Sequence, residues 1–328
     1  MTRRDRGITL VTLADERYAL PLAVLGRSLA DHLRAPEPAT LYVVDGGLAL
    51  DTKRHLLDSW DPQRLRVEFV RPQFGEERVL PVWGRIPALT YARVFVPLLV
   101  PDDCTKAIVL DSDVVVRTGI EQLWSLDLGG KCLLAVQDPA IPFVSSRGGL
   151  RRHRELAIPA GRPYFNAGVM VIDVAKWRRL NVSGRVMAFI RKNAGDLNYC
   201  DQDGLNAVLW DDWDALDPRW QVQPRLLVRD GMPLPHFDDG MRTRLRADPF
   251  ILHFSGRLKP WMYRGSTVFD HIFFDYLDRT WWTGWRPPSS AKGWWYRLYD
   301  SRVRDWCYPL EQLGHGLMRN LSRRSARV

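Results

Sequence analysis

The chain has 328 residues, 46% of them hydrophobic and 26% charged, which is too long for a minimal domain and apolar enough for a sizeable core. These proportions exclude a disordered or collagen-like chain. A net charge of +9 favours anionic partners, without choosing among nucleic acid, acidic lipid and phosphorylated substrates.

The N-terminal apolar run from Ile8 to Ala14 meets Asp15-Glu16-Arg17 at once. It is too short for the core of a signal peptide, and no stretch approaches the roughly 20 apolar residues of a spanning helix. The expectation is a cytoplasmic protein. Ile8 to Leu13 reads as a buried strand. Pro21 suits the first turn of a helix that carries Leu22, Leu25 and Leu29. Thr40 to Val44 reads as a second strand, Asp51 as the cap of a helix through Leu57, and Arg66 to Val70 as a third strand.

Ala107 to Leu110 is the next buried strand and ends directly on Asp111. Cys132 to Val136 reads as a strand ending near Asp138. Gly168 to Ile172 reads as another, with a helix starting over Asp173 to Trp177. Ile251 to Phe254 is a late strand near His253 and Gly256. Strands separated by helices predict a mainly parallel, doubly wound sheet, whose ligands bind beyond the carboxyl ends of the strands.

Cys104, Cys132, Cys200 and Cys307 lie far apart, so neither a zinc cluster nor a disulfide framework is expected. From Trp281 onward the composition changes. Six tryptophans and three tyrosines interleave with arginines, and Pro287-Pro288-Ser289-Ser290 reads as a linker. This predicts a body over residues 1–285 and a helical, aromatic-basic tail over 286–328. Tryptophan and tyrosine prefer the headgroup level of a bilayer and arginines bind anionic lipid, so the tail predicts peripheral attachment to the inner face of the membrane. A basic helix packed on the body is the alternative.

Asp111 and Asp113 are two apart, which in extended chain puts both carboxylates on one face. They repel unless a cation lies between them, and a divalent metal there can also bind a diphosphate. Alone, such a pair is more often a solvated turn at a strand end. Its context resembles glycosyltransferase family 8, the retaining family that includes glycogenin and the bacterial lipopolysaccharide galactosyltransferases. The matching pieces run in order: Val11 to Asp15 with Tyr18, Leu89 to Arg93, Val109 to Val116, Tyr164 to Val169, Asp201 to Asn206, and His253 to Trp261. The resemblance covers roughly residues 8 to 285.

The resemblance implies a GT-A type, Rossmann-like, doubly wound mixed α/β sheet. It also implies transfer of galactose or glucose from a UDP-sugar to a glycan or lipid-linked acceptor. It assigns Asp111, Asp113 and His253 to a metal. Two carboxylates and an imidazole suit Mn²⁺, whereas a site of oxygens alone would suit Mg²⁺ better. Gly256 and Lys259 would meet the diphosphate, Asp15 and Tyr18 the base, and Arg93 the phosphate or sugar. Ser112, Asn166, Ala167, Asp201 and Gln202 would complete the donor site, and Asp138 would lie near the acceptor. Gln202, Asp201 and Asp203 are the candidates for the reacting centre. Asp203 is the carboxylate that could form a covalent intermediate, although front-face attack is favoured. Arg17 departs from the small polar residue common in the galactosyltransferases.

Two rivals have distinct signatures. A nucleotidyltransferase should carry a Gly-rich basic loop after the first strand, and Leu13-Ala14-Asp15-Glu16 is not one. A nucleic-acid-binding protein should carry its basic residues in a patch with base-reading aromatics, but they concentrate in the tail, and the intact metal set argues against a nucleic-acid or lipid-binding protein with a vestigial site. No nucleic-acid partner is expected.

Overall fold

The computed structural model describes residues 7–71, 88–224, 227, 237–256, 259–264, 267 and 269–289. Its strands are β1 (Thr9–Ala14), β2 (Ala39–Asp45), β3 (Leu65–Val70), β4 (Lys106–Leu110), β5 (Val114–Val116), β6 (Leu133–Gln137), β7 (Phe165–Asp173), β8 (Trp213–Ala215) and β9 (Ile251–His253). The α-helices are α1 (Ala19–His32), α2 (Leu50–Asp58), α3 (Val96–Leu99), α4 (Glu121–Trp124), α5 (Val174–Arg179), α6 (Val182–Asn193), α7 (Asp201–Val208), α8 (Asp239–Ala247) and α9 (Asp270–Leu277).

Seven strands form one sheet in the order β3-β2-β1-β4-β7-β6-β8. The first four are parallel to one another, and β7 runs antiparallel to both β4 and β6. The sheet is therefore mixed, with its reversed strand in the interior. Both faces are covered, which explains why its strands are nearly continuous apolar runs. Successive residues point to opposite faces. Leu10, Ile108 and Val171 pack with Leu22 and Leu25 of α1 and with Trp60. Their neighbours Val11, Val109 and Met170 pack with Trp177 of α5, Met187 of α6 and Leu205 of α7.

A separate two-stranded sheet pairs β5 with β9 antiparallel, with Val114 opposite His253. This short pairing joins the segment just after Asp113 to a strand some 140 residues later, and it builds the site.

Several boundaries differ from expectation. α1 begins at Ala19 rather than Pro21, because Tyr18 ends a 3-10 turn that Asp15 caps. Asp51 does not cap α2: Ala49 stands at the cap position and Asp51 lies in the first turn. The late strand ends at His253, and Phe254 instead donates its N–H to Asp113 O (2.9 Å). Around Arg93 the chain forms a 3-10 segment, Ala88–Phe95, followed by α3. Two short strands, β5 and β8, had not been expected.

Cys104, Cys132 and Cys200 are buried free thiols. Just past the expected boundary at 285, Arg286 clasps Asp278 (2.8 and 2.6 Å), and Pro287 O accepts from Arg264 Nε (2.8 Å). Of the expected aromatic-basic tail over 286–328, residues 290 onward, with Cys307, lie outside the described residues. Among the described residues no helix is long and apolar enough to cross a membrane.

Candidate active site

β4 ends at Leu110, and the next three residues turn into β5. The Asp111 N–H donates to Gly168 O (2.8 Å), which fixes the turn to the reversed strand β7. Because β9 pairs with β5, His253 is drawn beside the turn. One ligand atom each from Asp111, Asp113 and His253 lies within 4.8 Å of the others. His253 Nε2 is 3.4 Å from Asp111 Oδ2 and 3.2 Å from Asp113 Oδ1. Two carboxylate oxygens and one imidazole nitrogen converging on one point fit a divalent cation. Ser112 is buried between the two aspartates.

Cations flank this cluster. Lys259 ion-pairs with the second oxygen of Asp113 and donates to Phe254 O (2.8 Å). Its ammonium lies 5.0 Å from the centre of the Trp261 ring and 5.6 Å from that of Tyr18, a cation–π cradle. Burial alone would raise the pKa of Asp113, but Lys259 and His253 outweigh it and hold the carboxyl below its usual range. Burial likewise opposes the charge on Lys259, and Asp113 more than reverses that. Gly256 adopts φ +88°, a left-handed conformation that suits glycine.

Arg93 is buried and reaches three groups. It donates through its two terminal nitrogens to Ala167 O (2.9 Å) and Asp111 Oδ1 (2.6 Å), and its Nε lies 2.9 Å from Asp201 Oδ2. It thus bridges the 3-10 segment, β4, β7 and α7. Burial pushes Asp201 up to about 6, against the opposing pull of Arg93.

Asn166, Ala167, Gln202 and Asp138 form one network. Asn166 Nδ2 donates to Asp138 Oδ2 (2.8 Å), and the Gly168 N–H donates to Asn166 Oδ1 (2.9 Å). Gln202 accepts from the Ala167 N–H (3.0 Å), and its Nε2 lies 3.4 Å from Asp138 Oδ2. The other oxygen of Asp138 accepts from the Ala140 and Ile141 amides (2.9 and 3.1 Å).

Asp203 has a different environment. Tyr164 Oη donates to its Oδ1 (2.6 Å), and the Asn198 and Tyr199 amides donate to its Oδ2 (2.6 and 2.8 Å). Only 1% exposed, it has both oxygens engaged by the scaffold. Burial pushes it up to about 6, against those three donors.

At the base end of the expected donor site, Asp15 caps the 3-10 turn and pairs with Arg17 (2.9 and 2.5 Å). Its described contacts do not join it to the acidic cluster. Tyr18 does join it, through Lys259 and an edge-on contact with Trp261 (ring centroids 5.8 Å apart).

Two residues at this site had no assigned role in the sequence reading. Gln221, 2% exposed, places its amide nitrogen 2.9 Å from His253 Nδ1 and also donates to Asn166 Oδ1. A methyl on Gly168 would lie 2.5 Å from His253 Cε1 and 2.7 Å from Gln221 Nε2. Gly168 stood in the Tyr164 to Val169 piece, where a glycine inside a strand already signals close approach. Gln221 carried no such signal.

A mixed Rossmann-like sheet with an aspartate pair beyond its central strand defines a GT-A glycosyltransferase. Residues 9–265 match the profile of Glycosyl transferase family 8, and the chain belongs to that family. It is 30% identical to General stress protein A of Bacillus subtilis (strain 168) over 283 residues, covering 85% of this chain and 96% of that protein. It is 25% identical to glycosyltransferase GlyD of Streptococcus pneumoniae over 83% of this chain, but spans only 31% of that longer protein. Among solved structures it is similar to galactosyltransferase LgtC in complex with donor and acceptor sugar analogs. That match has TM-score 0.70 and 25% identity, and covers 83% of this chain and 96% of that one.

Proposed function

We propose that the chain moves galactose or glucose from a UDP-sugar to a glycan or lipid-linked acceptor, with retention of anomeric configuration and with Mn²⁺. The observation that carries this reading is the convergence of Asp111, Asp113 and His253 within 4.8 Å, flanked by Lys259 and Arg93. Bound there, the metal would offset the charge that grows on the diphosphate as the glycosidic bond breaks. The capture of LgtC with donor and acceptor analogs supports the same division into two subsites.

In this account Lys259 turns its ammonium to a phosphate oxygen, and Gly256 lets the backbone approach the diphosphate. Tyr18 stacks on the base, and Asp15 accepts from the base N–H once it parts from Arg17. Arg93, Asp201, Asn166, Ala167 and Gln202 orient the sugar, and Asp138 orients the acceptor. The bond from the anomeric carbon to the phosphate oxygen breaks, and its electron pair leaves with the nucleoside diphosphate. The acceptor hydroxyl bonds to that carbon from the same face and gives its proton to the departing phosphate oxygen. The engagement of both Asp203 oxygens by Tyr164, Asn198 and Tyr199 supports this front-face route over a covalent one.

The test is a panel of UDP-sugars with Mn²⁺, scored for released UDP. A hexose donor should be hydrolysed, with activity lost in EDTA and in Asp113→Asn. Turnover of no donor, with or without acceptor lipid, overturns the reading. The arginines and tryptophans of residues 290–328 support peripheral membrane attachment. Full-length chain should then pellet with anionic liposomes and a chain ending at 289 should not; equal pelleting contradicts the attachment.

A further inference from the structure

The structure assigns Gln221 as the residue that positions His253 for metal binding. This rests on the metal-site reading above. An imidazole ligates through one nitrogen, and the group held by the other sets the orientation of the ring. Here Nε2 faces the two aspartates and Nδ1 meets the Gln221 amide nitrogen at 2.9 Å.

The other constraints leave this as the aiming contact. Backbone pairing fixes where His253 starts: β5 flanks it on one side, and on the other its N–H donates to Val222 O (2.7 Å) and the Val222 N–H donates to Ile251 O (2.8 Å). Those bonds place the Cα but leave the ring free to turn about its side-chain torsions. Gly168 supplies a floor under the ring, since any Cβ there would meet Cε1 at 2.5 Å and Nδ1 at 2.8 Å. A floor limits tilt, and only a directional contact selects which nitrogen faces the aspartates. Gln221 makes that contact from a buried position.

The amide of Gln221 is itself aimed. It donates to Asn166 Oδ1, whose own amide is held by Asp138 Oδ2 at 2.8 Å. Asp138, Asn166, Gln221 and His253 therefore form, without metal, a polar chain that is half-buried at Asn166 and runs from the expected acceptor side of the cleft to the metal side. Gln221 Oε1 has no hydrogen-bond partner among the described residues. A half-turn of the amide, which gives up its bond to Asn166 Oδ1, would let that oxygen accept from a protonated Nδ1 when Nε2 ligates, so glutamine can serve the ring with or without metal. Leucine and methionine, of similar volume, can do neither.

Mn²⁺ binding followed by loss of the free-ion electron paramagnetic resonance signal, with and without saturating UDP, tests this directly. Gln221→Leu and Gln221→Met should fold, by circular dichroism and thermal melting in EDTA, and should bind Mn²⁺ about 10–100-fold more weakly than wild type. The activity of both should recover towards wild type as Mn²⁺ is raised, which a general loss of stability would not produce. If both variants bind Mn²⁺ as tightly as wild type, Gln221 has no positioning role and the metal site stands. If the wild-type chain itself binds no Mn²⁺ with UDP present, the metal-site reading fails and the role of Gln221 falls with it.

Discussion

Replacing Arg93 by methionine removes the one cation that, among the described residues, touches both Asp111 and Asp201. The guanidinium is 7% exposed and Asp201 only 3%, so neither charge has water to fall back on. Breaking a buried pair by deleting one partner costs about 3–5 kcal/mol, a large part of the roughly 5–15 kcal/mol that holds a domain folded. The loss should depend on pH in a defined direction. Burial already pushes Asp201 up to about 6 with Arg93 present, and without Arg93 the shift grows. Protonation then relieves the orphaned carboxylate, so the penalty at pH 5 should be smaller than at pH 7 by up to about 1 kcal/mol, because only the part of the further shift between pH 6 and pH 7 counts. Urea denaturation of wild type and Arg93→Met at both pH values, in EDTA, measures this. Arg93→Lys keeps the charge but cannot reach three acceptors, and should fall between them. A difference below about 1 kcal/mol at pH 7, or one that is unchanged at pH 5, refutes the assigned role of the bridge.

Gly168→Ala should leave the fold intact yet weaken Mn²⁺ binding, because the added methyl needs the space of His253 Cε1 and Gln221 Nε2. Metal titration checks this, and unaltered affinity would show that the ring can retreat at no cost. Asp203 titrates near 6 when folded and near 3.8 when not, so the folded state binds the extra proton between those values and stability falls as pH rises from about 4 to 6. Its share of that fall is on the order of 3 kcal/mol, and Asp201 contributes in the same direction over the same window. Asp203→Asn should flatten the slope of unfolding free energy over this range, and an unchanged slope counts against the buried environment described. The same variant should keep measurable transfer; complete inactivity in a folded protein that still binds donor would favour a covalent route through Asp203.

The inner strands were legible because both faces of the sheet are covered, so β1, β2, β4, β6 and β7 each read as an apolar run. The reversal of β7 was not. Alternating strands and helices suggest parallel crossovers, but the segment from Pro139 to Tyr164 between β6 and β7 contains turns and no α-helix. β5 and β8 have three residues each, too short for any periodicity to show. The acidic pair was visible as chemistry, and His253 was visible only through resemblance. What brings them together is the β5–β9 pairing, whose partners are far apart in the chain. Gln221 was invisible for a related reason. Its importance comes from its contacts with His253 and Asn166, and nothing in Trp220-Gln221-Val222 announces them.

The most direct measurement is a crystal structure of the chain with Mn²⁺ and UDP, read by anomalous scattering at the manganese edge. The account predicts one ion at about 2.0–2.3 Å from carboxylate oxygens of Asp111 and Asp113 and from His253 Nε2, in contact with the diphosphate. An ion bound elsewhere, or UDP seated away from Asp111-Ser112-Asp113, would contradict it.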